Sequence, residues 1–259
     1  MLALTGYVDR LSAAPGGTLA FKISSTLGED YAADLVRIRC ADPNPAGPGL
    51  KLLPVDVPFG GRFPSRAQPV HLGSYGRIDT PAELADVPVL TLSTVVWPTL
   101  PERGPQAVLT LGDPDAGTGV GLEIGPHGAA LRVSADGSGT VATGEPLVAR
   151  NWYRIEATID ARAGTVRVAQ VPLDPVRLGL QPASARANLR LPERPGPGVM
   201  LAAAPGDEAP AIRHYDGKLE APMLVSGTLD ADGAPAGGVL AAWDLGRGID
   251  GIRIEDVGP

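Results

Sequence analysis

The stretch NWYRIEATIDARAGTVRVAQV, residues 151–171, decides the fold class. From Tyr153 to Ile159 every second side chain is apolar, a period that is typical of a β-strand with one face on a core. A turn at 161–164 then leads into a second alternating run, at 165–171. The stretch therefore predicts an antiparallel β-hairpin.

The same period of two recurs along the rest of the chain. Residues 120–135 predict another hairpin around a Gly-Pro-His-Gly turn. The run VLTLSTVVW, residues 89–97, is apolar on both faces, as expected of a central strand. Four further strands are predicted before residue 58, at 2–9, 18–24, 34–40 and 50–57.

The composition agrees with a fold of many short strands. Glycine and proline number 34 and 27 among 259 residues, while 44% of the chain is hydrophobic. Such a chain can build a core, but it is poorly suited to a helical bundle. The one helix signal, a capping box at 80–83, stands shortly before Pro88 and predicts a short turn. The predicted class is all-β, an antiparallel jelly-roll β-sandwich.

Charge and cysteine content exclude several kinds of protein. The net charge is −7, and no basic cluster interleaves with aromatic residues, which argues against nucleic acid as a partner. Cys40, the single cysteine, excludes an intrachain disulfide; its strand parity predicts a buried thiol beside Val36 and Ile38. The first residues lack the pattern of a signal peptide, and no apolar run could span a membrane. We therefore expect a cytoplasmic protein with no membrane partner.

Four segments in order resemble laminin G-like domains of the concanavalin A-like lectin class. They are HLGSYGRIDTPAELADVPVLTLSTVVWPTLP (71–101), the hairpins at 108–133 and 151–171, and HYDGKLEAPMLVSGTL (214–229). The resemblance covers about 160 residues and implies a jelly-roll sandwich of the concanavalin A-like lectin/glucanase type.

The flanking segments are similar to the N-terminal part of the large subunit of N,N-dimethylformamidase and its relatives. They are GYVDRLSAAPGGTLAFKIS (6–24), DLVRIRCADPNPAGPG (34–49) and GVLAAWDLGRGIDGIRIEDVG (238–258). In that family the sandwich precedes a larger region that hydrolyses an amide C–N bond with an iron held by tyrosine and glutamate. No stretch here matches that region, so no iron ligand is assigned to this chain.

The resemblance implies a non-catalytic accessory, scaffold or interaction domain. Its expected partners are the remaining domains of a longer parent protein, with an oligomer partner left open. The residues 231–259 are expected to belong to a segment that continues beyond this chain.

Two features suggest ligands instead. The loop at 112–119 offers Asp113 and Asp115 to a calcium ion, although calcium needs six to eight oxygens and aspartate is common in turns. No other cofactor is expected. Trp152 opens a strand on its polar face, where it could form a sugar-binding platform. A carbohydrate-binding module, with a glycan as partner, is therefore the alternative function.

A glycoside hydrolase of concanavalin A-like fold is the second alternative. It needs two carboxyl groups at a fixed separation, and the nearest candidates are Glu156 and Asp160. Four residues along a strand place them about 13 Å apart, beyond the range for either mechanism. A solvated outer face explains both residues without catalysis.

The ends of the chain are expected to form a small β unit of their own. The predicted divisions are 1–60, a sandwich at 61–230, and 231–259. Because chain termini often lie close together, we expect 239–245 or 252–257 to pair with the N-terminal strands, with Trp243 buried between them.

Overall fold

Antiparallel β-strands joined by turns make up both units of the chain, Met1–His71 and Leu72–Pro259. The computed structural model describes residues 2–68, 73–81, 84, 87–133, 139–176, 179–189, 191, 196–249 and 251–258. The all-β prediction is confirmed. Among these residues no helix is long and apolar enough to cross a bilayer. The capping box at 80–83 falls partly outside the described residues; Leu84 donates a backbone hydrogen bond to Pro81 at 3.2 Å.

The first unit contains three two-stranded sheets. They pair β1 (Leu4–Val8) with β2 (Phe21–Ser25), β3 (Tyr31–Ala33) with β6 (Gly61–Phe63), and β4 (Leu35–Ala41) with β5 (Leu50–Val55). The sequence predicted the strands of the first and third sheets, though not their pairing. It did not predict the strands of the second sheet, because three-residue strands are too short to show a period. The stacked rings of Tyr31 and Phe63 hold that second pair, with centroids 5.7 Å apart.

The prediction that Cys40 is buried is wrong. Cys40 is only half-buried, and Val36 and Ile38 on the same strand are 41% and 61% exposed. The register of β4 against β5 shifts between Ile38 and Cys40, so Arg39 is an extra residue that breaks the alternation. The parity argument assumed an unbroken strand with one face covered, and the hairpin has neither property.

The second unit is a sandwich of two sheets. The six-stranded sheet has the order β12-β11-β10-β9-β16-β7, formed by β7 (Gly76–Ile78), β9 (Gln106–Leu111), β10 (Val120–Gly125), β11 (Gly128–Arg132), β12 (Thr140–Ala142) and β16 (Val199–Leu201). The seven-stranded sheet has the order β15-β14-β13-β8-β17-β18-β19, formed by β8 (Val89–Pro98), β13 (Tyr153–Asp160), β14 (Thr165–Pro172), β15 (Ala183–Asn188), β17 (Gly217–Ser226), β18 (Gly238–Asp244) and β19 (Glu255–Asp256).

The core lies between the facing sides of these sheets. Leu92 and Ile155 from one sheet and Leu109 and Leu122 from the other are fully buried in one apolar cluster. Both hairpins predicted from sequence are present, as β10–β11 and β13–β14. β8 is the middle strand of its sheet, which confirms the central position predicted for 89–97.

The closing segment belongs to the sandwich, so the predicted pairing of 239–245 with the N-terminal strands is wrong. β18 pairs along one edge with β17, and at Trp243 and Asp244 its other edge pairs with β19. The alternative prediction, that 252–257 pairs with the N-terminal strands, is also wrong, because β19 in this segment pairs with β18. Trp243 is buried as expected, at 2% exposure, but in the core of the second unit. The division therefore falls at 71/72, and 231–259 is not separate from the sandwich.

Candidate functional site

The outer face of the seven-stranded sheet, turned away from the core, carries a lattice of polar side chains. Directly paired residues of antiparallel strands project to the same face. One such row runs from β15 to β8 as Arg186, Arg167, Thr158 and Thr91. Within it, the Thr91 and Thr158 hydroxyls lie 2.9 Å apart and share a hydrogen bond.

Glu156 occupies the neighbouring row and pairs with two arginines. The Arg167 Nη1 donates to Glu156 Oε1 at 2.6 Å, and the Arg154 Nε lies 3.5 Å from Oε2. The Glu156 side chain is only 7% exposed and that of Arg154 11%. The expectation of a solvated outer face is therefore wrong for Glu156, which is buried against two guanidinium groups.

The loop at 227–237 forms one wall of a groove on this face. Arg154 Nη2 donates to the carbonyl of Ala231 at 2.9 Å, and the Thr91 hydroxyl donates to the carbonyl of Gly227 at 2.6 Å. Gly233 has a φ of +89°, and a Cβ there would collide with the Arg154 guanidinium. The groove between this loop and β15 has a volume of about 1030 Å³.

The other residues proposed for sugar chemistry lie apart or are otherwise engaged. Asp160 lines the groove, but its Oδ1 accepts the backbone N–H groups of Arg162 and Ala163 at 3.0 and 2.9 Å, which shapes the β13–β14 turn. Trp152 is half-buried and immediately precedes β13. It is not among the described residues that line the groove, and those residues include no aromatic ring. The sugar platform at Trp152 stays a prediction.

A second charged cluster lies on the outer face of the six-stranded sheet. The Asp115 carboxylate accepts from Arg213 Nη2 at 2.7 Å and from Arg132 Nε at 3.2 Å. The Arg213 Nε lies 3.6 Å from Oε1 of Glu123, whose side chain is 4% exposed. Arg213 also has a left-handed φ of +49°. Its backbone carbonyl accepts from Ala107 in β9, which ties the 202–216 segment to the sheet.

Asp113 and Asp115, the residues suggested for calcium, are both engaged by other groups of the chain. Asp113 Oδ1 accepts the backbone N–H groups of Asp115 and Ala116 at 2.9 and 3.1 Å, the usual role of aspartate in a turn. Asp115 faces two guanidinium groups, whose charge opposes a cation. Among the described residues no group of three or more acidic, histidine or cysteine side chains is arranged to hold a metal. Calcium at Asp113 and Asp115 stays a prediction that this geometry does not favour.

Burial raises the pKa of Glu123 above its ordinary value of 4.5, and the neighbouring Asp115 raises it further, whereas Arg213 and Arg132 lower it. A carboxyl group with a raised folded-state pKa stabilises the fold fully below pH 4.5, and this contribution is lost as the pH rises through the folded-state pKa.

Replacing Glu123 with glutamine should therefore remove one pH-dependent contribution to stability. We expect the free energy of unfolding of the native chain, minus that of Glu123→Gln, to fall as the pH rises from 4 towards 8. Urea unfolding at several pH values measures this difference. Glu102→Gln, at an exposed position, is the matched control and should give a difference that varies less with pH. A flat profile for Glu123→Gln would contradict the assignment.

Sequence reasoning missed most of this second cluster. Asp115 was selected, but Arg213 stands 98 residues later, and no motif spacing links them. The alternation around Glu123 placed it on the polar face of its hairpin, where a solvent-exposed role is the default. Only the fold of the 202–216 segment over β9 and β10 brings these charges together.

The fold and these sites define a two-sheet antiparallel sandwich with charged clusters on both outer faces. Its sequence is 32% identical over 284 residues to an N,N-dimethylformamidase beta subunit from Paracoccus aminophilus, and 31% identical over 287 residues to one from Alcaligenes sp. The matches cover 98% and 99% of this chain but only 37% of each relative. The chain thus spans little more than a third of the relatives' length. They are named beta subunits, whereas the sequence resemblance pointed to the large subunit. No protein-family model matches the chain.

Solved structures with a similar fold are distant. The laminin α2 LG1-3 region is 12% identical over 58% of this chain and 29% of its own, with a TM-score of 0.42. A Ruminococcus gnavus IT-sialidase CBM40, bound to α2,3 sialyllactose, is 16% identical over 63% of this chain and 91% of its own, with a TM-score of 0.45.

Proposed function

We propose that this chain is a non-catalytic region of a longer protein related to the N,N-dimethylformamidase beta subunit, and that its first unit docks on the rest of that protein. Nearly the whole chain aligns with 37% of each relative, which leaves more than half of each relative without a counterpart here. The relatives' amide chemistry would then belong to the longer protein, not to these residues.

The exposed apolar surface of the first unit carries this proposal. Its described residues include one buried side chain, Ser25. Large apolar side chains, in contrast, are exposed throughout the unit: Leu2, Leu4, Tyr7, Val8, Leu11, Phe21, Leu27, Leu35, Val36, Ile38, Leu50, Leu52, Leu53 and Phe59. Soluble monomers rarely expose apolar surface on this scale without a partner.

The hairpin of β4 and β5 shows why such a unit needs a partner. Ile38 pairs directly with Leu52, so both side chains lie on one face, where they are 61% and 44% exposed. A two-stranded sheet is marginally stable in water by itself. Burying one such side chain contributes about 1.5–3 kcal/mol, so a covered hairpin face would add appreciably to stability.

The charged clusters support a non-catalytic role for the sandwich. A catalytic carboxyl group must be free to exchange a proton or to attack a substrate. Glu156 is held between Arg154 and Arg167, and Asp115 between Arg132 and Arg213. These four ion pairs serve to hold loops and strands together.

Charge substitution on the hairpin face tests the docking proposal. In the isolated chain, Ile38→Glu should leave the thermal unfolding midpoint nearly unchanged, because the side chain is exposed. In the longer protein encoded by the same gene, it should lower the midpoint markedly, because a charge would enter a dry interface. Differential scanning calorimetry of both proteins measures the two effects.

Leu173→Glu is the matched control for this comparison. Leu173 is 48% exposed in the second unit, and its substitution should be neutral in both proteins. An equally neutral Ile38→Glu in the longer protein would overturn the docking proposal. So would a gene that encodes no residues beyond the 259 present here. Ile38→Glu that instead dissolves a dimer of the isolated chain would assign the surface to a second copy and overturn the proposal too.

A further inference from the structure

We infer that the groove between β15 and the 227–237 loop binds a hydroxyl-rich ligand that carries an oxyanion, with Arg167 and Arg186 holding the anionic group. This inference is independent of the docking proposal, because the groove lies wholly within the second unit.

The two arginines are paired in a way that costs stability. Arg167 of β14 lies directly opposite Arg186 of β15, and both line the groove. Like charges at directly opposed positions on one face of a sheet repel each other. Arg167 is compensated by Glu156, but Arg186 is exposed and has no ion pair within the part of the chain that the structure describes. An anion between the two guanidinium groups would remove the repulsion.

The floor of the groove holds Arg167 in place before any ligand arrives. Glu156 accepts its Nη1 at 2.6 Å, and Arg154 fixes Glu156 from the other side. Among the described residues, the Glu156 Oε2 and the Arg154 Nε are buried in this floor without a hydrogen bond. The same is true of the hydroxyl of Ser93, which pairs with Glu156 on the adjacent strand. Guanidinium groups held in this way bind carboxylate and sulfate-like oxyanions through paired N–H donors.

The remaining lining sets the class of ligand. Thr158 and Thr165 contribute hydroxyl groups, and Asn188, paired with Thr165, contributes an amide. Asp160 and Asp230 also line the groove, and the Oδ1 of each accepts two backbone N–H groups of its own turn. No aromatic ring stands among the described lining residues, so stacking against a neutral sugar is not provided. A volume of about 1030 Å³ is ample for a short oligosaccharide. The shared chemistry is a carboxylate or sulfate, and an acidic oligosaccharide fits both the arginines and the hydroxyl-binding walls.

Calorimetric titration of the whole chain tests the inference with two probes, trigalacturonate and inorganic sulfate. We expect trigalacturonate to bind with a Kd of about 0.1–1 mM and sulfate to compete with it. Arg186→Gln should weaken trigalacturonate binding at least about tenfold while leaving the thermal unfolding midpoint unchanged or higher, since the repulsion with Arg167 is gone. Arg103→Gln, an exposed arginine outside the groove, is the control and should bind as the native chain does.

Each result decides one part of the inference. Binding of sulfate without trigalacturonate would support an anion site and overturn its assignment to an acidic sugar. Equal binding by Arg186→Gln and the native chain would place the ligand elsewhere and overturn the site. Absence of binding for both probes up to about 10 mM would overturn the inference as a whole.

Discussion

Trp243→Ala is expected to lower the free energy of unfolding of the sandwich by about 3–5 kcal/mol. Trp243 is the largest of the fully buried side chains in the described residues. It lies on β18, between β17 and β19, and packs in the same cluster as Leu92 and Leu224. Its removal would leave a cavity that rigid neighbouring strands can close only in part. Urea unfolding followed by tyrosine and tryptophan fluorescence measures the loss.

Trp243→Phe separates the contribution of packing from that of the indole N–H, and Trp152→Ala is the control. Within the described part of the chain, the Trp243 Nε1 is buried without a hydrogen-bond partner, so Trp243→Phe loses volume but also removes an unsatisfied donor. It should cost clearly less than Trp243→Ala. Trp152→Ala, at a half-buried site, should cost less than about 1.5 kcal/mol. A loss from Trp243→Ala no larger than that from Trp152→Ala would contradict the place given to β18.

Arg213→Met should destabilise the sandwich by about 3 kcal/mol, because removing one partner from a buried ion pair strands the other charge. Its guanidinium lies 3.6 Å from Glu123 and is one of two that bind Asp115. The methionine keeps the apolar length of the side chain, so the loss reports the charge. Chemical denaturation at several pH values measures the loss, which should grow as the pH rises, because Arg213 favours the charged form of Glu123.

A double-mutant cycle isolates the contact. Combining Arg213→Met with Glu123→Gln removes the stranded carboxylate, so the double variant should recover a substantial part of the loss. Arg103→Met is the control, because Arg103 is 70% exposed and its ion pair with Asp216 is long, at 3.9 Å. Purely additive effects of the two substitutions would show that Arg213 stabilises the 202–216 segment without acting on Glu123.

The sandwich could be predicted from sequence where strands are adjacent and long. The β13–β14 hairpin follows directly from the alternation between Tyr153 and Ile159 and from a short turn. The partner of β18 could not be predicted, because alternation gives the faces of a strand and not its neighbour. The choice of β17 over the N-terminal strands rests on contacts that one sequence does not display.

The candidate sites were harder to predict for a related reason. Polar residues on a strand are expected to face water, and Glu156 fits that pattern in sequence. Glu156 is buried beside Arg154 and Arg167, and the register of β14 places Arg167 one row away. The pairing of Arg167 with Arg186 likewise appears only once the register of β15 is known.

In the first unit, the sequence predicted burial where the structure shows exposure. Alternation at 34–40 correctly predicted β4 but also predicted a buried face for Cys40, and the structure of this chain leaves Val36 and Ile38 exposed. A period of two reports that a strand has an apolar face, not that the same chain covers it. Under the docking proposal, the alternation at 34–40 indicates an apolar face that another part of a longer protein buries.

Hydrogen exchange of the β4–β5 backbone tests the docking of this unit most directly. The amides of Leu35–Ala41 and Leu50–Val55 would be followed by mass spectrometry in the isolated chain and in the longer protein, with β13 and β14 as internal controls. A covered hairpin opens less often, so its exchange should be at least about tenfold slower in the longer protein, while the control strands are unchanged. Equal exchange of β4 and β5 in the two proteins would contradict the account.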